Sequence, residues 1–583
     1  MNHRRPVAVR SGLLALSLLF GASSCHRAVK PLPKDPRAEE RSRFASAADH
    51  FVDGVLFAEP HHAVRLSIHS YDGYVPDLSR DGIKAHLLWL ARAERTFKRF
   101  SREALEPLQR VELDTIFAKI RRDRFVYQTL DATRTQPLMY LRALFYTPYI
   151  AHQYAPATRR ARALADLARG APKLLGQAER RLDKRLARPH LQIALFMATR
   201  MAKAARGLPE VLRAQGATID EAMARDLAQL PRALDKFAAA LTRRVAHATA
   251  PFALGKARYV ALMRSMGVEL DLARFEALAQ RELDKHRRAI IAAARKLDRT
   301  RPPAQVIARV LADRVSPDDV FALARRQLAR LRALLVRKKI VTIPSSEQTE
   351  VVATPPFMRY NFAFLNAPGI FNGPRTDLPS YFYISPPDPS WPAKKRRDYV
   401  AATPALLFVS AHEVWPGHFL DFLHAKGHRS RVLRALRSDM RTEGWAHYVE
   451  QMVLDDALGH GDPKLVIGML SNALLRDARF LASIGLHTKG KSLAWAAALF
   501  RNKAFVDAGN AQQQALRGTF DPSYFRYTVG KLMIQKLRAD MIAKAGGKLG
   551  LARFHDRFLG CCAMAPIPAI RRALLGDDAG PAL

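Results

Sequence analysis

Two short runs in the second half of the chain contain the side chains that a catalytic zinc site requires. The first run holds His412, Glu413 and His418, and the second holds Glu443. Catalytic zinc is commonly bound by two histidines and one carboxylate, with a further position left for water. A second carboxylate beside such a site can take the proton from that water. The residue types therefore predict a hydrolytic zinc centre with His412, His418 and Glu443 as ligands and Glu413 as general base.

The spacing of the two histidines departs from the usual helical zinc motif. Histidines four residues apart share one face of a helix, whereas His412 and His418 are six residues apart and would face different ways. Pro416 cannot occupy the interior of a regular helix, and Gly417 permits unusual backbone angles. We therefore expect the helix to break between Trp415 and Gly417, so that His418 returns to the metal. The alternative is an ordinary helix terminus with a buried histidine.

The elements that position these residues are predicted to be mostly helical. From about residue 84 to 340 the chain is rich in Ala, Leu and Arg, with apolar residues at helical spacing. In the stretch 219–248 they recur every three or four positions, and Pro231 indicates a second helix starting there. Near residue 340, β-branched and aromatic residues between Pro and Gly predict short strands, and helices resume near 402. The pattern predicts a mainly α protein with one small β element.

The first 25 residues have the pattern of an export signal. Three arginines precede an apolar run at 13–20, which is too short to span a bilayer, and small residues lead to Cys25. This resembles a bacterial lipoprotein signal, in which the Cys is lipidated, and the alternative is an ordinary cleaved signal peptide. Either reading predicts an exported protein of the cell envelope. By resemblance to other such lipoproteins, His26 favours the outer membrane, with the domain facing the periplasm or the cell surface.

The rest of the chain is predicted to form a tether and one domain. Residues 26–48 are rich in Pro and charge, which favours a flexible tether. A single catalytic domain then covers 49–575, with an N-terminal helical lobe at about 49–340 and a metal-site lobe at about 341–575. Besides Cys25 the chain has only the adjacent Cys561 and Cys562, for which two buried thiols are expected rather than a strained disulfide.

The chain carries a large excess of positive charge. Its 583 residues include 94 Lys and Arg against 53 Asp and Glu, which gives a formal net charge of +41. The cations are scattered along the chain without a zinc-finger or RNA-recognition pattern, so we expect no nucleic-acid partner. Acidic lipid headgroups or acidic substrates suit this charge better. The hydrophobic fraction of 49% excludes an intrinsically disordered protein.

Six ordered segments resemble a bacterial lipoprotein family, domain of unknown function 885. They lie between residues 67 and 559 and read SIHSYDGYVPDLSRDGI, HEVWPGHFL, EGWAHYVE, IGLHTKGKSLAWA, YTVGKLMIQKLR and ARFHDRFL. The resemblance implies a two-lobed helical zincin-like (gluzincin) fold with the metal in a deep cleft. This plan is similar to that of angiotensin-converting enzyme and the oligopeptidases. It also implies one Zn²⁺ per chain on His412, His418 and Glu443.

The same resemblance adds further candidates for the site. His487 and Tyr527 match family positions that could face the metal and donate hydrogen bonds to the oxyanion of a peptidase reaction. Arg538 could bind a substrate carboxylate. Tyr383 lies in the segment 381–385, which we expect to be an edge strand that pairs with an extended peptide. Each candidate also has a structural alternative. His487 would be a core or capping histidine, Tyr527 a packed aromatic residue and Arg538 a structural arginine. The segment 381–385 would be an ordinary strand of a small sheet.

Three residues depart from the family's segments. Phe419 stands where the family often has a second histidine, Ser483 where it has an aspartate, and Lys491 where it has a tryptophan. Loss of a carboxylate that orients a metal ligand weakens metal binding or activity by about 10–100-fold. The four residues of the proposed centre are unaltered.

Three functions remain open at this point. We expect an exported zinc metallopeptidase that hydrolyses peptides in the cell envelope, attached to the membrane through the lipid on Cys25. One alternative is an inactive binding or scaffold lipoprotein on the same fold, suggested by Phe419 and Ser483. The other is a zinc hydrolase of a non-peptide amide, because the positive charge suits an anionic substrate.

Overall fold

The computed structural model describes residues 36–359, 361–372 and 378–583. The predicted signal at 1–25, with its lipidation site Cys25, lies outside the described residues. Within them the chain is mainly helical with one small sheet, which confirms the predicted mainly α class with a small β element. None of the described helices is long and apolar enough to cross a membrane.

Sixteen α-helices precede the sheet in the described part of the chain. They are α1 (Pro36–Ala58), α2 (Pro60–Arg65), α3 (Arg80–Phe97), α4 (Pro107–Arg124), α5 (Ala132–Thr135), α6 (Leu138–Ala143), α7 (Pro148–Ala151), α8 (Ala157–Arg181), α9 (Arg188–Arg206), α10 (Leu208–Ala214), α11 (Glu221–Leu227), α12 (Gln229–Val245), α13 (Lys256–Ser265), α14 (Leu272–Leu297), α15 (Pro303–Leu311) and α16 (Val320–Arg337). A π-helical segment, Phe125–Thr129, extends α4.

The predicted division of the stretch 219–248 is confirmed. Helix α11 begins after Asp220, whose side chain accepts a hydrogen bond from the Met223 amide and so caps the helix. Helix α12 follows after Ala228 and holds Pro231 in its first turn, where a missing amide proton costs no hydrogen bond.

The flexible tether predicted for residues 26–48 is wrong from residue 36 onward, where helix α1 begins. Residues 36–48 form the first half of α1, and Phe44 and Ala48 are buried. The Phe44 ring meets Phe97 and Phe100 edge-on, at centroid distances of 5.9 and 5.3 Å. The charged residues that suggested a tether are mostly on the solvent-facing side of this helix.

The small sheet contains three strands, β1 (Thr349–Ala353), β2 (Ala363–Asn366) and β3 (Ser380–Ile384), in the order β1-β3-β2. Strand β1 runs parallel to β3, and β2 runs antiparallel to it. The segment 381–385 was expected at an edge, but β3 is the central strand. Residue alternation alone does not reveal which neighbours a strand acquires, and here β2 takes the edge position.

Eleven α-helices follow the sheet. They are α17 (Ala393–Tyr399), α18 (Thr403–Glu413), α19 (His418–Lys426), α20 (Arg431–Ala435), α21 (Asp439–Met452), α22 (Pro463–Thr488), α23 (Leu493–Ala504), α24 (Ala508–Phe520), α25 (Arg526–Lys544), α26 (Leu551–Gly560) and α27 (Ile567–Leu575). A π-helical segment, Val453–Leu458, extends α21. Cys561 and Cys562 form a disulfide rather than the two thiols that were expected.

Two hydrophobic cores are present, but they do not follow the predicted lobes. The smaller core draws on residues between 64 and 248, mainly from α8, α9 and α12. The larger core joins residues 44–125 and 254–341 to the sheet and the later helices. The expected boundary near 340 therefore does not separate the cores, because an amphipathic pattern shows that a face is buried but not against which helix.

Candidate metal centre

The predicted helix break is confirmed. Helix α18 ends at Glu413 and α19 begins at His418. A Cβ on Gly417 would lie 1.8 Å from the His412 carbonyl oxygen, so only glycine fits where the chain turns back on itself. The Trp445 indole donates to the Pro416 carbonyl at 2.9 Å and holds the turn in place. The break brings the His418 ring to 4.8 Å from the His412 ring, measured between centroids.

Close packing also fixes the helix that carries Glu443. Arg441 on α21 forms a fully buried ion pair with Asp421 on α19. On the other side, α21 crosses α25 where Gly444 meets Gly530, and a Cβ on Gly444 would lie 2.6 Å from the Gly530 backbone. Glu443 therefore projects from a helix that is held against both neighbours.

The three predicted ligands converge on one point. The Glu443 Oε2 atom lies 3.5 Å from His412 Nε2 and 3.7 Å from His418 Nε2. Ligand atoms of His412, Glu413 and His418 also lie within 4.8 Å of one another. A tetrahedral zinc with bonds of about 2.0–2.1 Å keeps its ligand atoms about 3.4 Å apart. The type and separation of these donors fit a zinc ion.

A carboxylate that sequence analysis missed orients the first histidine. Glu450 Oε1 accepts a hydrogen bond from His412 Nδ1 at 2.7 Å, which turns Nε2 toward the proposed metal position. Arg476 on α22 lies 2.9 Å from the same Glu450 oxygen, and the buried His447 ring is 3.6 Å from it. Glu450 stands seven residues after Glu443, on the same face of α21. This seven-residue spacing is the sequence feature from which Glu450 could have been predicted as a neighbour of the site.

Burial and neighbouring charges set the protonation of the cluster. Burial alone would lower the pKa of His412, but Glu443 and Glu450 raise it to about 10. Burial and the nearby His412 lower the pKa of His418 to about 3. Burial would raise the pKa of Glu443, yet the two histidines hold it well below its usual value. Glu443 is thus ionised and His418 neutral, while His412 carries a proton that a bound cation would displace.

Glu413 lies between the ligand cluster and the sheet. Its Oε2 atom accepts a hydrogen bond from the Leu365 amide at 3.0 Å. Because Leu365 lies in the edge strand β2, the carboxylate faces the free side of the sheet. Burial raises the pKa of Glu413 above its usual value, although the charge of His412 opposes this.

Tyr527 reaches the same region from α25. The guanidinium carbon of Arg476 lies 5.7 Å from its ring centroid, and Arg476 in turn contacts Glu450 and the His412 ring. Among the described residues, no hydrogen-bond partner of the Tyr527 hydroxyl is found. The ring is buried, and the hydroxyl remains free to donate.

Comparison with known proteins places the chain in a family. Residues 60–574 match the family described as bacterial protein of unknown function, DUF885. The chain belongs to the DUF885 family. No curated protein matches it.

Two solved structures share the fold of this DUF885 protein. A predicted lipoprotein of unknown function from Shewanella oneidensis is 19% identical, with 91% of this chain and 99% of that chain covered and a TM-score of 0.76. A predicted lipoprotein from Colwellia psychrerythraea is 14% identical, with coverages of 92% and 98% and a TM-score of 0.75. The carboxypeptidase of Pyrococcus furiosus aligns at 12% identity with a TM-score of 0.35, which is too low to support a conclusion.

His487 is not brought to the cluster of this DUF885 protein. It follows Arg476 on α22 by eleven residues, which is about 16 Å along a helix. Its Nε2 atom is 2.8 Å from the Gly518 carbonyl, and its ring packs against Tyr259 at 6.2 Å between centroids. The structural alternative of a buried core histidine therefore describes His487 better than an oxyanion donor.

Arg538 and Tyr383 also lie away from the cluster. Arg538 is eleven residues beyond Tyr527 on α25, where it pairs with Asp456 at 3.2 Å beside a separate cavity of about 370 Å³. Tyr383 belongs to the central strand and is buried against Phe364 of β2, at 5.4 Å between ring centroids. Neither side chain is in contact with the proposed metal ligands.

Two of the departures from the family segments, Ser483 and Phe419, have side chains packed in the protein core. Ser483 is fully buried, donates to the Pro522 carbonyl at 2.6 Å and lies 2.9 Å from the Tyr259 hydroxyl. Phe419 is fully buried against Trp415, at 5.1 Å between centroids. The carboxylate beside His412 is Glu450, so Ser483 does not stand in for a lost partner of the metal.

Proposed function

We propose that this DUF885 protein is a zinc-dependent metallopeptidase of the cell envelope. The observation that carries the proposal is the convergence of His412, His418 and Glu443 at 3.5–3.7 Å, with Glu413 beside them. Two imidazoles and one carboxylate are a common ligand set of hydrolytic zinc. A zinc ion held there would supply Lewis-acid chemistry and lower the pKa of a water molecule.

The residues around the ligands have distinct roles in peptide hydrolysis. One oxygen of Glu413 is held by the Leu365 amide, and the other is free to take a proton from the attacking water and deliver it to the leaving amine. The hydroxyl of Tyr527 would donate a hydrogen bond to the oxyanion that forms on the substrate carbonyl. Glu450 holds His412 in the orientation that binding requires.

The edge of β2 offers a place for an extended peptide. The Leu365 amide points away from β3 toward Glu413, and Ala363, two residues earlier, shares that orientation. Their outward carbonyl groups, and the amide of Ala363, are available to a substrate strand. A peptide bound there would pass directly beside Glu413. This assigns to β2 the role that the sequence suggested for the segment around Tyr383.

The cell-envelope location is supported by two independent features. The first 25 residues have the pattern of a lipoprotein signal ending at Cys25. Both structural neighbours above are themselves predicted lipoproteins. We propose a lipid-anchored protein of the outer membrane, whose charge of +41 favours contact with anionic envelope surfaces.

The test is peptide hydrolysis by the purified protein, with and without zinc. We expect cleavage of short peptides that a chelator stops and added zinc restores. Glu413→Gln should retain the metal and lower turnover by about 10²–10⁴-fold, because only the proton acceptor is lost. Glu210→Gln, an exposed change on α10, serves as the control. Undiminished turnover by Glu413→Gln would overturn the proposal.

A further inference from the structure

A group of arginines gathers around two tyrosines next to the proposed metal centre. Arg479 lies over the rings of Tyr524 and Tyr527, with 5.4 Å from its guanidinium carbon to each centroid. Arg517 lies 5.5 Å from the Tyr524 centroid, and Arg526 lies 5.0 Å from that of Tyr527. We use the name arginine pocket for these five residues, which are Arg479, Arg517, Tyr524, Arg526 and Tyr527.

The positive charges of the arginine pocket exceed the negative charges available to them. Asp521 pairs with Arg526 at 2.7 Å and with Arg517 at 3.2 Å, so one carboxylate serves two arginines. Arg479 forms no ion pair with a described carboxylate. Its Nε atom donates to the Gln514 side chain at 2.9 Å, and no described residue is a hydrogen-bond partner of its two terminal nitrogens.

Leaving Arg479 without a carboxylate is costly. Its side chain is only 8% exposed, and burial together with the charge of Arg517 lowers its pKa to about 10. The contacts with Tyr524 and Tyr527 offset only part of the cost of burying an unpaired charge. An arginine held in this way is suited to an anion that arrives with a ligand.

The arginine pocket is connected to the metal centre. Burial would lower the pKa of Arg526, but the carboxylates of Asp521 and Glu443 raise it well above its usual value. The Tyr527 ring links the two sites: its centroid lies 5.4 Å from the guanidinium carbon of Arg479 and 5.7 Å from that of Arg476, which contacts Glu450 and the His412 ring.

We propose that the arginine pocket binds a carboxylate of the substrate and that Arg479 is its central contact. A guanidinium group can hold a carboxylate with two parallel hydrogen bonds, and the terminal nitrogens of Arg479 are available for both. This inference rests on the proposed function and specifies its substrate: a short peptide that carries a carboxylate near the scissile bond. The carboxylate is that of the free C-terminus or of an acidic side chain.

The test is equilibrium binding to the Glu413→Gln protein, which holds the substrate without cleaving it. The probes are acetyl-Ala-Ala-Ala as the free acid, the same peptide as its C-terminal amide, and the amide of acetyl-Ala-Glu-Ala. We expect the free acid to bind at least about tenfold more tightly than the first amide. Arg479→Gln should abolish that difference and Arg479→Lys should restore part of it. Arg501→Gln, at an exposed position on α23, should leave it unchanged.

Each outcome decides the proposal. Equal binding of the free acid and its amide, together with no gain for the Glu-containing amide, would overturn it. So would an undiminished preference in Arg479→Gln. Tight binding of the Glu-containing amide that Arg479→Gln abolishes would support the pocket and identify an acidic side chain as the source. Because binding is measured without turnover, a carboxylate preference in a protein that cleaves nothing would overturn the proposed function alone.

Discussion

Helix α22 carries two adjacent charged residues that serve two different polar clusters. Arg476 faces Glu450 and the His412 ring. Asp477 faces away from them, toward His286 on α14 and Thr528 on α25. One helix therefore contributes to the proposed metal centre and to a second cluster in the protein interior.

In the second cluster, both carboxylate oxygens of Asp477 are paired. Asp477 Oδ2 lies 2.6 Å from His286 Nδ1, and Asp477 Oδ1 accepts a hydrogen bond from the Thr528 hydroxyl at 3.0 Å. The fully buried Lys531 donates to the Gln451 side chain at 3.3 Å. Each oxygen of Asp477 has a partner within the protein. Its hydrogen bonds join α22 to α14 and α25.

The metal cluster is arranged differently. Glu443 lies 3.5 and 3.7 Å from the two imidazole nitrogens, longer than an ordinary hydrogen bond of about 2.7–3.2 Å. These three atoms face one common point, and only the far side of His412 is satisfied, by Glu450. A buried cluster of titratable groups indicates a functional site when its unpaired atoms converge on one point. It indicates a structural role when those atoms are paired with one another.

Among the substitutions that distinguish the two clusters, Glu450→Gln should have the largest effect on zinc affinity. We expect zinc affinity to fall by about 10–100-fold, because an amide oxygen accepts a weaker hydrogen bond from His412 than the carboxylate does. Competition with a chromogenic zinc chelator measures the affinity, and Glu210→Gln is the control. An unchanged affinity would mean that Glu450 is a structural neighbour only.

Asp477→Asn should affect the fold and spare the metal. The change weakens two buried hydrogen bonds to a charged group, and we expect a loss of about 2–4 kcal/mol in the free energy of unfolding. Zinc affinity should stay within about threefold of the original value, because Asp477 faces away from the ligands. Urea denaturation and the chelator assay measure the two quantities. A large loss of zinc affinity with unchanged stability would contradict the division into two clusters.

His487→Gln should have the smallest effect. The amide can still hydrogen-bond to the Gly518 carbonyl, so we expect a stability change within about 1 kcal/mol and unchanged peptide turnover. Turnover is measured beside that of Tyr527→Phe, which should be slower because it lacks the proposed oxyanion donor. A hundredfold loss of turnover in a stable His487→Gln protein would return His487 to the catalytic site.

The sequence predicted that His412, His418 and Glu443 come together because the residues responsible are local. His412, His418 and Glu443 lie in two compact runs, and Pro416 with Gly417 forces the break that brings the histidines together. The small sheet and the helical body were equally predictable from residue patterns. The structure confirms the helix break, the mainly helical class and the presence of a small sheet.

Features that depend on long-range packing were not predicted. His487 lies on α22 with Arg476, and Arg538 on α25 with Tyr527, but each lies three turns from its functional neighbour. A sequence motif predicts that a residue lies on a given helix. It does not predict how far along that helix the cleft extends. The edge position of β2 and the composition of the larger core depend on neighbours distant in sequence.

The most direct test of the account is the zinc content of the purified mature protein beside that of His418→Ala. The account predicts about one zinc per chain in the original protein and a loss of that zinc in the variant, because His418 reaches the ligands only through the break at Pro416 and Gly417. Absence of zinc from both proteins after zinc is added back would contradict it, as would full retention of zinc by His418→Ala.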